Sequence, residues 1–150
     1  MAIQSELRDL IQQQLPGDSA RQLTLFAERL FARESSDLAK IISPQRRFEL
    51  AKSAFEFFSV RTGPIAVRVF PDAGQEAAVT VETVMQDRPF IIDSLLEYFH
   101  HLGAPAHVLL HPVYHVTRDT DGHIVSFEQT LASERGESFV HAELETSSGS

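Results

Sequence analysis

Hydrophobic positions follow helical spacing over residues 1–62 and alternate along most of the chain after that. Stripes with i, i+3, i+4 spacing predict amphipathic helices over 3–15, 23–31 and 48–58. A short helix through Ile42 is also expected, and Ser43-Pro44 supplies an N-cap followed by proline at the first helical position. The sequence therefore predicts a segment of three to four helices over 1–62.

Beyond this segment, alternating apolar residues predict strands over 65–70, 77–85, 106–117, 123–131 and 138–144. Val140, Ala142 and Leu144 share one face of the last strand. The sheet is expected to be antiparallel except where a helix crosses over between the second and third strands. Since one helix covers only part of such a sheet, the N-terminal helices are expected to cover other apolar surface.

The crossover helix is predicted over 88–102, with Asp87 as its N-cap, Pro89 in its first turn and Gly103 just after its end. Asp121-Gly122 then predicts a two-residue hairpin loop. That loop sets Val116 opposite Phe127 in the flanking strands.

These elements predict an α+β fold with a helical segment at 1–62, an α+β domain at 63–146 and a disordered tail at 147–150. The best domain boundary lies at Arg61–Pro64, where the spacing of hydrophobic residues changes from helical to alternating and the charge balance changes too. Residues 1–62 hold nine Lys/Arg and eight Asp/Glu, whereas residues 63–150 hold four and thirteen. The first part therefore has a net charge of +1 and the second part −9, which together give −8.

Composition narrows the class of function. The 150 residues are 43% hydrophobic, which suits a folded core, and they include no cysteine, which excludes disulfides and thiolate metal sites. The acidic second part disfavours binding to nucleic acid or to an anionic membrane. No apolar run reaches the ~18 residues of a membrane span. Glu6 and Asp9 lie where a signal peptide would be apolar, so a cytoplasmic location is expected.

His107, His111 and His115 are spaced by four residues and invite a metal hypothesis. On a strand that spacing spans about 13 Å, too far for one ion with Zn–N bonds of about 2.0–2.1 Å. Surface or interface histidines are the favoured reading, and a cross-strand site of His115 with Glu128 stays open. The sequence also lacks a G-x-S-x-G elbow and a glycine-rich phosphate loop, so no catalytic residue and no metal site are predicted.

Three blocks carry a resemblance to a known family. They are D-x-P-F-x-x-D-S at 87–94, H-P-V at 111–113 and R-D-x-x-G at 118–122. Their order and spacing resemble the N-terminal ACT-like region of the large bacterial NAD-specific glutamate dehydrogenases, over about residues 65–145. The ACT domain is a ferredoxin-like module that often senses amino acids. The second helix of that module is not expected within these 150 residues.

The resemblance implies a non-catalytic regulatory or assembly domain. The parent enzyme converts glutamate to 2-oxoglutarate with NAD, and NAD is expected in its catalytic part, with no cofactor in this chain. The implied partners are the rest of the parent enzyme and a second copy of the chain. His107, His111 and His115 are the expected interface residues.

The alternative is an ACT-type sensor that binds an amino-acid effector at a dimer interface. Its candidate residues are Asp87, Arg88, Pro89 and Phe90, at the start of the crossover helix. Phe90 stands where ligand-sensing ACT domains usually have glycine, and its ring is expected to fill the space that an amino acid uses. This departure favours the assembly function.

Overall fold

The computed structural model describes residues 5–32, 43–71, 78–127 and 136–145. The helices are α1 (Ser5–Gln14), α2 (Gly17–Leu30), α3 (Pro44–Phe58) and α4 (Ile91–His101). The strands are β1 (Ile65–Pro71), β2 (Ala78–Gln86), β3 (Ala106–Leu110), β4 (Val113–Tyr114), β5 (Val116–Arg118), β6 (Ile124–Phe127) and β7 (Glu137–Glu145). The predicted α+β class is confirmed. The predicted short helix through residue 42 and the tail at 147–150 lie outside the described residues.

The main sheet has the order β1-β2-β7-β3, and β4 also pairs with β7. Every pairing among the described strands is antiparallel. The expectation of parallel neighbours across the helix is therefore wrong, because β7 lies between β2 and β3. The unit is a split β-α-β, in which α4 crosses over a strand that comes later in the chain.

Helices pack on both faces of the sheet. Val140, Ala142 and Leu144 of β7 form a core with Phe99 of α4, which confirms their predicted common face. Phe139 faces the other way and joins the core formed with α1, α2 and α3. The N-terminal helices therefore cover the face of the sheet opposite α4, as expected. No helix among the described residues is long and apolar enough to cross a bilayer.

Aromatic rings fill the centre of the core under the N-terminal helices. Phe26 of α2 stacks on Tyr114 at 4.7 Å between ring centroids and contacts Phe58 and Phe139 at 5.3 and 5.6 Å. The buried Tyr114 hydroxyl donates to the carbonyl of Phe26 at 2.6 Å. Helices and sheet thus share one core, and the division at 62/63 stays a prediction about domains.

The predicted long strand over 106–117 is wrong, because the chain breaks at His111-Pro112 and again at His115. Pro112 has no N–H to give to a ladder, and its carbonyl instead accepts from the N–H of Phe139 at 3.1 Å. After the second break, β5 leaves the main sheet and pairs with β6.

The β5–β6 hairpin keeps the predicted pairing of Val116 with Phe127. Its loop is wider than two residues, because Arg118 pairs with Ile124 after a shift of register. Following α4, the described residues contain no further helix.

Candidate functional site

The junction between β2 and α4 holds the predicted effector residues Asp87, Arg88, Pro89 and Phe90, all four of them exposed. The prediction that Asp87 caps the helix is wrong, and Pro89 lies before the first turn. Phe90 occupies the N-cap position, and no side chain caps the helix there. The physical reason is a long-range bond: the N–H of Asp87 donates to the carbonyl of Gly136 at 2.9 Å, which holds Asp87 beside β7.

Phe90 has φ 68° and ψ 13°, in the left-handed region. A bulky residue rarely takes this conformation, which costs on the order of 1–3 kcal/mol. The backbone here thus has the conformation that glycine adopts easily. The side chain is 74% exposed, so the ring fills no enclosed space. No side chain caps the first N–H groups of α4, and such groups at the positive end of a helix dipole can bind an anion.

The H-P-V block lies against the start of β7. The Nε2 atom of His111 is 2.7 Å from the hydroxyl of Ser138. Burial lowers the pKa of His111, and the negative charge of Asp87 opposes that shift. A Cβ added at Gly136 would meet Val113 at 2.5 Å, so glycine is needed for this close approach. The first two blocks of the resemblance therefore meet at one end of the sheet.

His111, Ser138 and Asp87 have the composition of a hydrolase triad, and sequence reasoning did not bring them together. Ser138 is fully buried within β7, so its hydroxyl cannot reach a substrate. Asp87 acts on His111 through its charge, without a hydrogen bond between the two side chains. The contact is best explained as satisfying a buried hydroxyl.

The three predicted interface histidines do not converge. His107 is exposed at a bulge in β3, and His111 contacts Ser138. His115 is partly buried near Gly136, and its Nδ1 has no hydrogen-bond partner. The described residues include no metal-ligand cluster built from these three imidazoles. Glu128, the proposed cross-strand ligand, lies outside the described residues.

The R-D-x-x-G block fixes the hairpin to the core. The guanidinium of Arg118 makes two-pronged contacts with Glu137 at 2.8–3.1 Å. It also donates to the carbonyls of Gly122 at 2.6 Å and Phe58 at 2.7 Å. Arg61 approaches Glu137 from another side at 3.4 Å. The arginine of the block is therefore a structural tie between α3, the hairpin and β7.

Asp119 and Gly122 shape the turn of the same hairpin. An Asp119 carboxylate oxygen accepts from the backbone N–H groups of Asp121 and His123 at 2.9 and 3.0 Å. These bonds lower the pKa of Asp119, and the bond from the N–H of His123 has the largest effect. Gly122 has φ +89°, and a Cβ there would lie 2.1 Å from the carbonyl oxygen of Arg61.

Asp119, Asp121 and His123 also place ligand atoms within 4.8 Å of one another, a cluster that sequence reasoning missed. All three residues are exposed, and one carboxylate oxygen of Asp119 already accepts two backbone hydrogen bonds within the turn. The cluster is therefore best explained by the turn.

A second group missed from the sequence is buried between the sheet and α3. Arg68, Glu82, His141 and Glu143 lie side by side on β1, β2 and β7. Glu82 and His141 are almost fully buried. The sequence does place one titratable residue of this pair in the middle of each strand, but alternation assigns that face of the strand to water.

The family model described as Glutamate dehydrogenase, ACT1 domain, matches residues 26–150. The chain belongs to this family. Neither the curated proteins nor the solved structures gave a match. The predicted resemblance to an N-terminal ACT-like region of glutamate dehydrogenases is confirmed, and the match extends beyond the sheet to α3 and part of α2.

As an ACT1 domain, the chain is part of an oxidoreductase family whose cofactor needs a binding site. Dinucleotides bind at a glycine-rich turn between a strand and a helix. The sequence has seven glycines, and none of them forms a G-x-G-x-x-G pattern. That this chain itself holds no cofactor stays a prediction.

Proposed function

We propose that this ACT1 domain is a non-catalytic regulatory and assembly module of a large NAD-specific glutamate dehydrogenase. It docks on the rest of the parent enzyme, whose catalytic part holds NAD and converts glutamate to 2-oxoglutarate. Family membership supports the parentage, and the absence of cysteine and of a membrane-spanning run in the sequence supports a cytoplasmic location.

The observation that carries this proposal is an uncovered apolar strip on β1. Ile65, Val67 and Val69 are 57%, 57% and 62% exposed. Val69 pairs with Val81, which packs in the α4 core, so the strip lies on the α4 side of the sheet. An exposed run of β-branched residues on an edge strand is a liability for a free protein and is typical of a surface that a partner covers.

The occupant that we favour is the rest of the parent enzyme, since the family is defined as one domain of a larger dehydrogenase. The test places Val67→Glu in the parent enzyme and measures its assembly by analytical ultracentrifugation. We expect a charge in the strip to weaken assembly. Val125→Glu is the matched control, because Val125 is 62% exposed on the hairpin.

Unchanged assembly of the Val67→Glu enzyme would contradict the proposal. A dimer of the isolated chain that dissociates with Val67→Glu would instead identify a second copy as the occupant. Glutamate-dependent NAD reduction by the 150-residue chain alone would overturn the non-catalytic function.

The edge strand β3 and the segment after it offer a second surface, at His107, His111 and His115. Since His111 and His115 also contact β7 or its start, we propose that His107 contributes most of any contact there. His107→Ala should then weaken assembly more than His123→Ala, which changes an exposed histidine of the hairpin.

Effector sensing is the second candidate, and the uncapped start of α4 favours it. The left-handed Phe90 leaves the first N–H groups of the helix open to a carboxylate. Calorimetric titration with common amino acids separates the two functions. Saturable heat that disappears with Asp87→Ala and survives Asp121→Ala would favour sensing. Silence across the amino acids would favour the assembly function.

A further inference from the structure

His141 lies at the centre of a chain of charges between the sheet and α3. Its Nδ1 is 2.6 Å from a carboxylate oxygen of Glu82, and its Nε2 is 2.8 Å from one of Glu143. A neutral imidazole carries one N–H, so it can donate to only one of these two carboxylates. With both carboxylates ionised, the geometry is satisfied only by an imidazolium, whose two N–H groups both donate.

Each of the two carboxylates has an arginine beside it. Arg68 of β1 donates to Glu82 at 2.6 Å, and Arg46 of α3 lies 3.8 Å from Glu143. His107 of β3 also lowers the pKa of Glu143 electrostatically. A positive charge on His141 therefore lies between two negative charges, each of which has a further cation beside it.

The chain of charges holds α3 at two places. Arg68 donates to both the carbonyl and the hydroxyl of Ser53, at 3.0 and 2.8 Å. The same guanidinium lies between the rings of Phe57 and Phe70, at 4.9 and 4.7 Å from their centroids. Arg46 in the first turn of α3 supplies the other contact. α4 takes no part, because it packs on the opposite face of the sheet.

We propose that His141 is a proton-operated latch, which holds α3 on the sheet while both ring nitrogens are protonated and loosens α3 when one proton leaves. Deprotonation leaves one carboxylate facing a ring lone pair in a buried site. The latch therefore couples local pH to the docking of the N-terminal helices on the ACT sheet. It is independent of which partner covers the β1 strip.

The direction of the pH dependence follows from the pKa shifts of His141 and Glu143. Burial alone would lower the pKa of His141, but its bonds to Glu143 and Glu82 outweigh burial and raise it. The stabilisation is then complete below the ordinary histidine value and is lost as the pH rises through the raised pKa. Burial opposes the shift of Glu143, but His141 and Arg46 lower its pKa, so its contribution is lost only in acid.

The test uses the unmodified chain first. Nitrogen-15 NMR of the histidine rings reports the protonation of His141 between pH 5.5 and 9.5, and amide exchange reports α3 and α4 separately. We expect an imidazolium at pH 7. Between the ordinary histidine pKa and the raised pKa of His141, the ratio of protection in α3 to that in α4 should fall about tenfold for each pH unit, and it should level off above the raised pKa. A ratio removes the common effect of pH on exchange chemistry.

His141→Gln should remove this pH dependence, whereas His123→Gln, at an exposed position, should keep it. A neutral ring at pH 7 in the unmodified chain would overturn the proposal. So would equal loss of protection in α3 and α4 as the pH rises. If His141→Gln does not fold, the measurements on the unmodified chain still decide.

Discussion

Replacing Arg118 by alanine tests whether the third sequence block is structural. The change removes the two-pronged contact with Glu137 and the bonds to the carbonyls of Gly122 and Phe58. It also removes the guanidinium from the face of the Phe58 ring, 4.9 Å from its centroid. The side chains of Arg118 and Glu137 are only 9% and 8% exposed, so water cannot readily replace what is lost.

The magnitude follows from that burial. Breaking a buried ion pair from one side costs about 3–5 kcal/mol, because the other charge stays buried without its partner. Arg61 remains 3.4 Å from Glu137 and compensates in part, which places the expected loss at about 3 kcal/mol. Arg118→Lys keeps the positive charge but loses the planar guanidinium that contacts both carboxylate oxygens of Glu137. We expect this variant to lose about 2 kcal/mol of its free energy of unfolding.

Urea unfolding at pH 7, followed by circular dichroism, measures the free energy of unfolding of each variant. Arg8→Ala is the matched control. Its partner Glu28 lies 3.4 Å away, but the two side chains are 43% and 36% exposed. Such a pair contributes about 0–1 kcal/mol. Equal free energies of unfolding for Arg118→Ala and Arg8→Ala would refute the reasoning.

Three further changes test other parts of the structure by the same urea unfolding. Gly122→Ala should lower the free energy of unfolding by about 2–3 kcal/mol, because the new Cβ is strained at a left-handed φ and overlaps the backbone of Arg61. Gly63→Ala, where a Cβ meets nothing within 4 Å, should change it by no more than about 0.5 kcal/mol. Equal effects would contradict the turn geometry. Phe90→Gly should raise the free energy of unfolding by about 0.5–1 kcal/mol, because the relief of about 1–2 kcal/mol of backbone strain exceeds the entropic cost of glycine. A lower free energy of unfolding would show that no strain is stored at this position. Phe139→Ala should lose about 3–5 kcal/mol and the exposed Val125→Ala almost nothing; a small loss at Phe139 would contradict the shared core.

Local signals in the sequence predicted local features well. Ser43 caps α3 by accepting from the N–H of Arg46 at 3.1 Å, with proline at the first position as expected. Gly103 has φ +73° just after α4, where its prediction as the C′ residue placed it. The pairing of Val116 with Phe127 followed from the hairpin predicted at Asp121-Gly122, although the loop is wider than two residues. Each of these features depends on residues close in the chain.

Features that depend on distant residues could not be predicted. Asp87 failed as a cap because Gly136, far along the chain, holds its N–H. Glu82 and His141 are buried because the N-terminal helices cover their face, and alternation cannot show which faces are covered. The location of the candidate effector site was accessible from the D-R-P sequence, but the left-handed Phe90 was not.

β7 is the central strand of the main sheet and also the last described strand of the chain. Val79 and Ala106 both pair with Leu144, so β2 and β3 meet β7 only after residues 137–145 have been made, although β2 can pair with β1 earlier. On the ribosome, those strands therefore wait with open edges until residues 137–145 emerge. The main sheet should therefore close only once β7 has emerged, and a nascent chain halted before Gly136 should recruit chaperones.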